Sequence, residues 1–241
     1  MKITILTLFP EIFTSPLTSS IVGRAQKKGL VSFNIINLRD FARDKHKSVD
    51  DHPYGGGAGM ILRVDIIDRA LSSFNLPASP AGGQPTTYLP RRQAGNLQPK
   101  TKVVLLDPRG KVFQQKIADK YSKLDHLVLI CGHYEGVDER VTALCDDTIS
   151  IGDFVLTGGE LGALVIIDAV TRLIPGVISK DSTTEESFNP HLSYPQYTRP
   201  PIYKRRKVPE ILLSGDHKKI KIWREQKSLE TTKKNRPDLL K

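Results

Sequence analysis

Cysteine is scarce in this 241-residue sequence: Cys131 and Cys145 are too few for a disulfide scaffold and lack the C-x-x-C spacing of a structural zinc site. That scarcity makes the cytoplasm the natural compartment. No run approaches the roughly 18 consecutive apolar residues of a membrane span, so no membrane partner is expected. The apolar stretch ITILTLF at 3–9 is too short for a secretory core and is closed by Pro10-Glu11 without a small-residue cleavage site, so it reads as a first strand. No strand is followed by G-x-G-x-x-G, and PRGK at 108–111 is not G-x-x-x-x-G-K-[ST], which disfavours dinucleotide and P-loop phosphate binding. With 39% hydrophobic residues the chain is not a disordered tail.

What is plentiful is positive charge, and it is unevenly placed. There are 36 Lys and Arg against 26 Asp and Glu, a net +10. Residues 199–241 hold 14 basic and 5 acidic side chains, leaving 22 and 21 for residues 1–198. Such asymmetry points to a polyanionic partner, because neutralised phosphates release counterions and supply affinity regardless of sequence. The segments KRRK at 204–207 and HKKIKIWREQK at 217–227 favour nucleic acid over a merely solvated face. Within the second, Trp223 and Ile220 are expected on the packed side of an amphipathic helix, with the lysines outside.

Runs rich in Ile, Val and Leu at 3–9, 33–38, 102–107, 126–131 and 147–151 read as buried strands. Helical patterns at 64–74, 113–124, 137–145 and 160–174 alternate with them, which predicts an α/β fold with a largely parallel sheet. Residues 75–101, rich in Pro, Gly and polar residues, read as a long surface insertion, and 179–201 as an interdomain linker. The expected organisation is an α/β domain over 1–178 and a small basic helical domain over 202–241, in which Asp216 caps a helix running to about Lys234.

Three of the strands end alike, at LLDPRG (105–110), CGHYEGVDER (131–140) and SIGDFVLTGGE (150–160). In a parallel sheet, ligands bind beyond the carboxyl ends of strands, and glycine there lets backbone groups approach a ligand. Gly158-Gly159 alone could be only the turn before the helix at Glu160, but three such turns predict one pocket. DHPYGGGAGM (51–60) could also cradle an anion with successive N–H groups.

The motifs HPYGGGAGM, CGHYEGVDERV, SIGDFVLTGGE, DAVTRLIPGV, EESF, YTRPP, VPEILLSGDH and RPDLL occur in the order found in the bacterial TrmD family, the tRNA (guanine-N1)-methyltransferases of the SPOUT superfamily. The chain resembles that family over essentially its whole length. The resemblance implies a deep trefoil knot, S-adenosylmethionine as methyl donor, Mg2+ in turnover, tRNA as substrate, and an obligate homodimer whose sites are shared between chains. The target it implies is N1 of the guanosine at tRNA position 37. Carried over by motif, Leu106, Pro108, Gly132, Tyr134, Glu135, Gly136, Ser150, Ile151, Gly152, Asp153, Phe154, Val155, Leu156, Gly158 and Gly159 surround the donor. Glu135 or Asp153 would favour a sulfonium or amino cation; their bland alternatives are turn capping and a salt bridge with Arg140. Tyr54, Gly55, Gly56, Gly57 and Gly59 match the early glycine loop that encloses donor and guanine, and Arg199, Lys204, Arg205 and Arg206 are expected to meet the RNA.

Methylating N1 requires removal of its proton by a base about 2.6–3.2 Å away and a cation beside O6 as negative charge develops. The family arginine matches Arg172; the family aspartate before Ser-Phe is replaced by Glu186. Glu186 is the expected base, with Asp181 or Glu185 taking over, or weak catalysis, as the other outcomes. Arg109 stands where the family often has glutamine. Two other readings stand beside the enzyme: an RNA-binding SPOUT protein with little or no turnover, and a ribose 2′-O-methyltransferase, against which YTRPP and HPYGGGAGM speak.

Overall fold

The computed structural model describes residues 1–74, 100–179, 186–188 and 190–240. They divide into two compact units, Met1–Ile178 and Ser179–Lys241. All but two residues of the expected 75–101 insertion lie outside the described set; Thr101 already belongs to a strand.

In the first unit the strands are β1 (Lys2–Thr7), β2 (Ser32–Asn37), the two-residue pair β3 (Asp50–Asp51) and β4 (Ile61–Leu62), β5 (Thr101–Val112), β6 (His126–Cys131) and β7 (Asp147–Ser150). Five of them form one sheet in the order β2-β1-β6-β5-β7, every pair parallel. Side chains alternate across it. On β6, Leu127, Leu129 and Cys131 enter one apolar cluster while Val128 and Ile130 enter the other. Both faces are therefore buried, which explains why the strands read as near-continuous apolar runs.

Helices α1 (Thr14–Thr18), α2 (Ser20–Lys27), α3 (Val64–Ser72), α4 (Gln115–Tyr121) and α5 (Glu160–Thr171) complete this unit. On α3, Ile66, Ile67, Ala70 and Leu71 cover one side of the sheet; Ala163, Ile166, Ile167 and Val170 of α5 cover the other. The segment 137–145, expected to be an α-helix, is instead a 3-10 turn at Glu139–Leu144. Its hydrogen bonds span three residues, from the Val141 N–H to the Asp138 carbonyl at 2.9 Å and from the Cys145 N–H to the Thr142 carbonyl at 3.2 Å, between Gly136 at φ 125° and the extended Cys145, and Asp138 caps it by accepting the Arg140 N–H at 2.9 Å.

In the second unit a hairpin of β8 (Ile202–Tyr203) and β9 (Arg206–Lys207) precedes α6 (Glu210–Leu213) and α7 (His217–Asn235). Asp216 accepts the Lys219 N–H at 3.1 Å, the hydrogen bond of an N-cap. Trp223 and Ile220 are both half-buried, and Trp223 packs 6.5 Å from the Tyr197 ring. Among the described residues no helix is long and apolar enough to cross a membrane.

Candidate functional site

The turns after β5, β6 and β7 meet at one cavity of about 210 Å³. Each wall has its own local cause. β5 first pairs Leu106 with Ile149, then shifts register so that Lys111 faces the same Ile149, and Asp107–Gly110 loops out between. A Cβ on Gly110 would lie 2.5 Å from the Ile149 nitrogen, so only glycine lets the chain return alongside β7. Leu106, Asp107 and Pro108 line the cavity from this side.

Asp107 is 8% exposed and accepts from the Arg109 backbone N–H at 2.8 Å and from its guanidinium at 3.0 and 2.8 Å. The guanidinium beside it holds its carboxyl below the usual range. A third guanidinium contact, 2.9 Å to Glu139, ties the turn after β5 to the one after β6. Arg109 is thus a brace between two walls.

The second wall follows Cys131, whose thiol burial pushes well up. Gly132, Tyr134, Glu135 and Gly136 all line the cavity. Tyr134 (φ 62°) and Gly136 (φ 125°) turn the chain sharply, and the Gly136 N–H donates to the His133 carbonyl at 3.2 Å. His133 also lines the cavity; its ring packs 4.8 Å from Phe9 and edge-on to Tyr134 at 5.1 Å. Among the described residues its buried Nδ1 has no hydrogen-bond partner. His133 was within reach of a sequence reading, since it sits inside CGHYEGVDERV.

The third wall leaves β7 at Ser150, whose hydroxyl donates to the Gly152 carbonyl at 3.0 Å and sits 3.2 Å from its N–H. Gly152 has φ 149°, and a Cβ there would run into the Phe154 ring at 2.5 Å. Ile151, Phe154, Val155 and Leu156 continue the lining. The loop then closes on the second wall: Gly158 bridges His133, and the Gly159 N–H donates to the Gly132 carbonyl at 2.8 Å. A Cβ on Gly159 would meet the Cys131 Cα at 2.8 Å, which leaves room for nothing larger. Next to it, the buried Glu160 accepts the Thr7 hydroxyl at 2.8 Å, anchoring the start of α5 to β1.

The predicted cofactor residues thus converge on one cavity, Asp153 excepted: it is exposed and does not line it. The Arg140 salt bridge goes to Asp138 at 2.6 Å rather than to Glu135 or Asp153. The early glycine loop reaches the site through Gly59, where a Cβ would lie 2.3 Å from the Glu135 Cγ. The Met60 carbonyl accepts the Glu135 N–H at 3.1 Å. Tyr54 is fully exposed and lines a charged groove adjoining the cavity, with Arg109, Glu135 and Arg140; Gly57 is held at φ 128° beside Pro53.

A family profile described as "tRNA (Guanine-1)-methyltransferase TrmD" matches residues 1–241. The chain belongs to the TrmD family. It is 48% identical over 242 residues to the tRNA (guanine-N(1)-)-methyltransferase of Ruminiclostridium cellulolyticum, covering 99% of this chain and 96% of that one. Identity to the protein of the same name from Caldanaerobacter subterraneus subsp. tengcongensis is 50% over 243 residues, with 98% and 90% covered. For that of Mycoplasmopsis synoviae the figures are 48%, 100% and 97%.

The TrmD-family residues expected to do the chemistry lie apart from these turns in the chain. Arg172 ends α5 in the first unit, its N–H donating to the Asp168 carbonyl at 3.2 Å, and does not line the cavity. Glu186 belongs to the second unit, where it borders a groove with His191, Tyr194 and Arg224. The adjoining Ser187-Phe188 turn is held locally, the Ser187 hydroxyl accepting the Ser193 N–H at 3.0 Å and the Phe188 N–H reaching the His191 carbonyl at 2.7 Å. Asp181 and Glu185 lie outside the described residues. Arg199, Lys204, Arg205 and Arg206 are exposed in the second unit.

Proposed function

We propose that the chain transfers a methyl group from S-adenosylmethionine to N1 of the guanosine at tRNA position 37, in the cytoplasm. The observation that carries this reading is the single cavity built by three glycine-rich turns in a chain that matches the TrmD family from end to end.

The lining suits the donor. Leu106, Val137, Ile149, Ile151 and Leu156 would offer apolar surface to an adenine ring, the glycines would offer backbone groups to it, and the Glu135 carboxylate would favour a cationic group. The orphaned His133 Nδ1 leaves polar capacity beside the same cavity. When bound, S-adenosylmethionine supplies an electrophilic methyl group on its sulfonium sulfur. For Mg2+, the described residues offer no cluster of three or more ligating side chains.

The chain's own tasks are then positional. Glu186 accepts the N1 proton, opening a lone pair on nitrogen, and Arg172 stabilises the negative charge that moves onto O6. Because glutamate is one methylene longer than the family aspartate, the backbone at Glu186 must sit slightly farther from the base, and errors near 1 Å cost about a hundredfold in rate. We further propose the family's trefoil knot, supported by the closure of 151–159 onto the turn after β6, and a homodimer with shared sites, supported by the exposed apolar Ile12, Leu161 and Val165.

The test separates binding from chemistry. Glu186→Gln and Arg172→Ala are expected to bind S-adenosylmethionine as the parent does in calorimetry, yet to lose at least about a hundredfold in single-turnover methyl transfer. Transfer at the parental rate in Glu186→Gln would remove Glu186 as the base. Methyl groups recovered on ribose would favour the 2′-O reading instead.

A further inference from the structure

The hairpin of β8 and β9 pairs Ile202 with Lys207 and Tyr203 with Arg206, leaving Lys204 and Arg205 as a two-residue loop. Both have positive φ, 44° and 66°. That is the loop type in which Asn-Gly or Gly-Gly is strongly favoured, because side chains with a Cβ are strained there. This chain instead puts two long cations at the tip, flanked by two more at Arg206 and Lys207, and all four are exposed. Among the described residues none of the four takes part in a salt bridge. Beside them Ile202 and Tyr203 are 56% and 61% exposed, and the Lys204 ammonium lies 5.5 Å from the Tyr203 ring centre. Among the described residues nothing in the packing calls for this choice: glycine would form the turn more easily, and Ile202 and Tyr203 cover no core.

We propose that this hairpin is a clamp for the RNA phosphate backbone, with Lys204 and Arg205 projected by the strained turn onto neighbouring phosphates and Tyr203 presenting its ring to an adjacent base or ribose. The inference rests on the tRNA-modifying reading for the identity of the RNA, while the hairpin geometry supplies the site. Four cations within four residues, outside every salt bridge of the described residues, fit a phosphodiester chain, whose charges recur along one strand, better than a single anion. An exposed aromatic ring beside them is the usual companion of flexible RNA.

The deciding variant replaces the tip by the residues the turn prefers, Lys204→Asn with Arg205→Gly. Relief of strain should leave the thermal midpoint unchanged or higher. Removing two phosphate contacts should weaken tRNA binding about 10- to 30-fold near 0.15 M salt and make the plot of log K against log[salt] shallower by about 1.4–1.8. Methyl transfer at subsaturating tRNA should fall by the same factor as the affinity. Lys204→Gln with Arg205→Gln, which removes charge without changing the strain, should show the same affinity loss. Unchanged affinity and salt slope in both pairs would overturn the clamp and leave the methyltransferase reading standing. A shallower slope in a protein that makes no 1-methylguanosine would do the reverse.

Discussion

Gly159 makes a direct test of how the cofactor cavity is held. Its φ is −78°, which any residue adopts, so the reason for glycine is space alone. A Cβ would stand 2.8 Å from the Cys131 Cα, 3.0 Å from the Leu106 Cβ and 3.1 Å from the Gly132 nitrogen, all parts of the two facing strand ends. These atoms cannot swing aside as a side-chain tip can. Gly159→Ala must therefore push the 151–159 loop off the turn after β6 by roughly half an ångström or more and stretch the 2.8 Å hydrogen bond to Gly132. Overpacking of this kind costs about 1–3 kcal/mol, which lowers the melting temperature by roughly 3–10 °C in a chain of this size. Loss of the closing hydrogen bond at the cavity rim should weaken S-adenosylmethionine by about tenfold, or about 1.4 kcal/mol. Calorimetric titration and thermal unfolding read both effects. Gly29→Ala is the control: φ is 69° and nothing lies within 4 Å, so it should lower stability comparably but leave donor affinity unchanged. Parental affinity and melting temperature in Gly159→Ala would refute the close-approach reasoning.

Burial, reinforced by the nearby Lys2, pushes the His126 imidazole down to about 4 from its ordinary 6.5. Between those values the unfolded chain binds the extra proton and the folded chain does not, so this group's stabilisation is complete above about pH 6.5 and fades toward pH 4. Urea midpoints should fall across that window, and His126→Gln, at the site where the ring meets the Thr4 hydroxyl at 2.9 Å, should flatten part of the slope; identical slopes would refute the assignment. For the proposed shared sites, mixing Gly159→Ala chains with Glu186→Gln chains, at donor concentrations well below the dissociation constant of Gly159→Ala, should raise methyl transfer above that of either variant alone. Absence of recovery in proven heterodimers would mean that each chain builds its own site.

Much of the fold is legible in the sequence because both sheet faces are covered: the apolar runs at β1, β2, β5, β6 and β7 leave no other placement. The short helices α1 and α2 are harder to read, since Pro16 and the break at Ser19-Ser20, with Ser20 at φ 51°, divide the pattern into pieces too short to show a period. The convergence of the three turns is legible from their glycines, but the reason for each glycine is not. Gly110 and Gly159 answer to backbone atoms distant in sequence, at Ile149 and Cys131, which only the packed sheet brings near. Asp153 shows the converse: its place inside a motif says nothing of which way it faces, and it faces solvent. The role of Arg109 rests on a contact with Glu139, thirty positions on, that no local pattern announces.

The most direct measurement is the identity of the product. Purified protein is incubated with labelled S-adenosylmethionine and two tRNA transcripts that differ only in guanosine or adenosine at position 37, and the nucleosides are then separated. Label in 1-methylguanosine from the first transcript and none from the second is the expected result, and it would also show that Glu186 sustains catalysis. Label in any other nucleoside, equal label from both transcripts, or none from either while donor and tRNA are bound would contradict it.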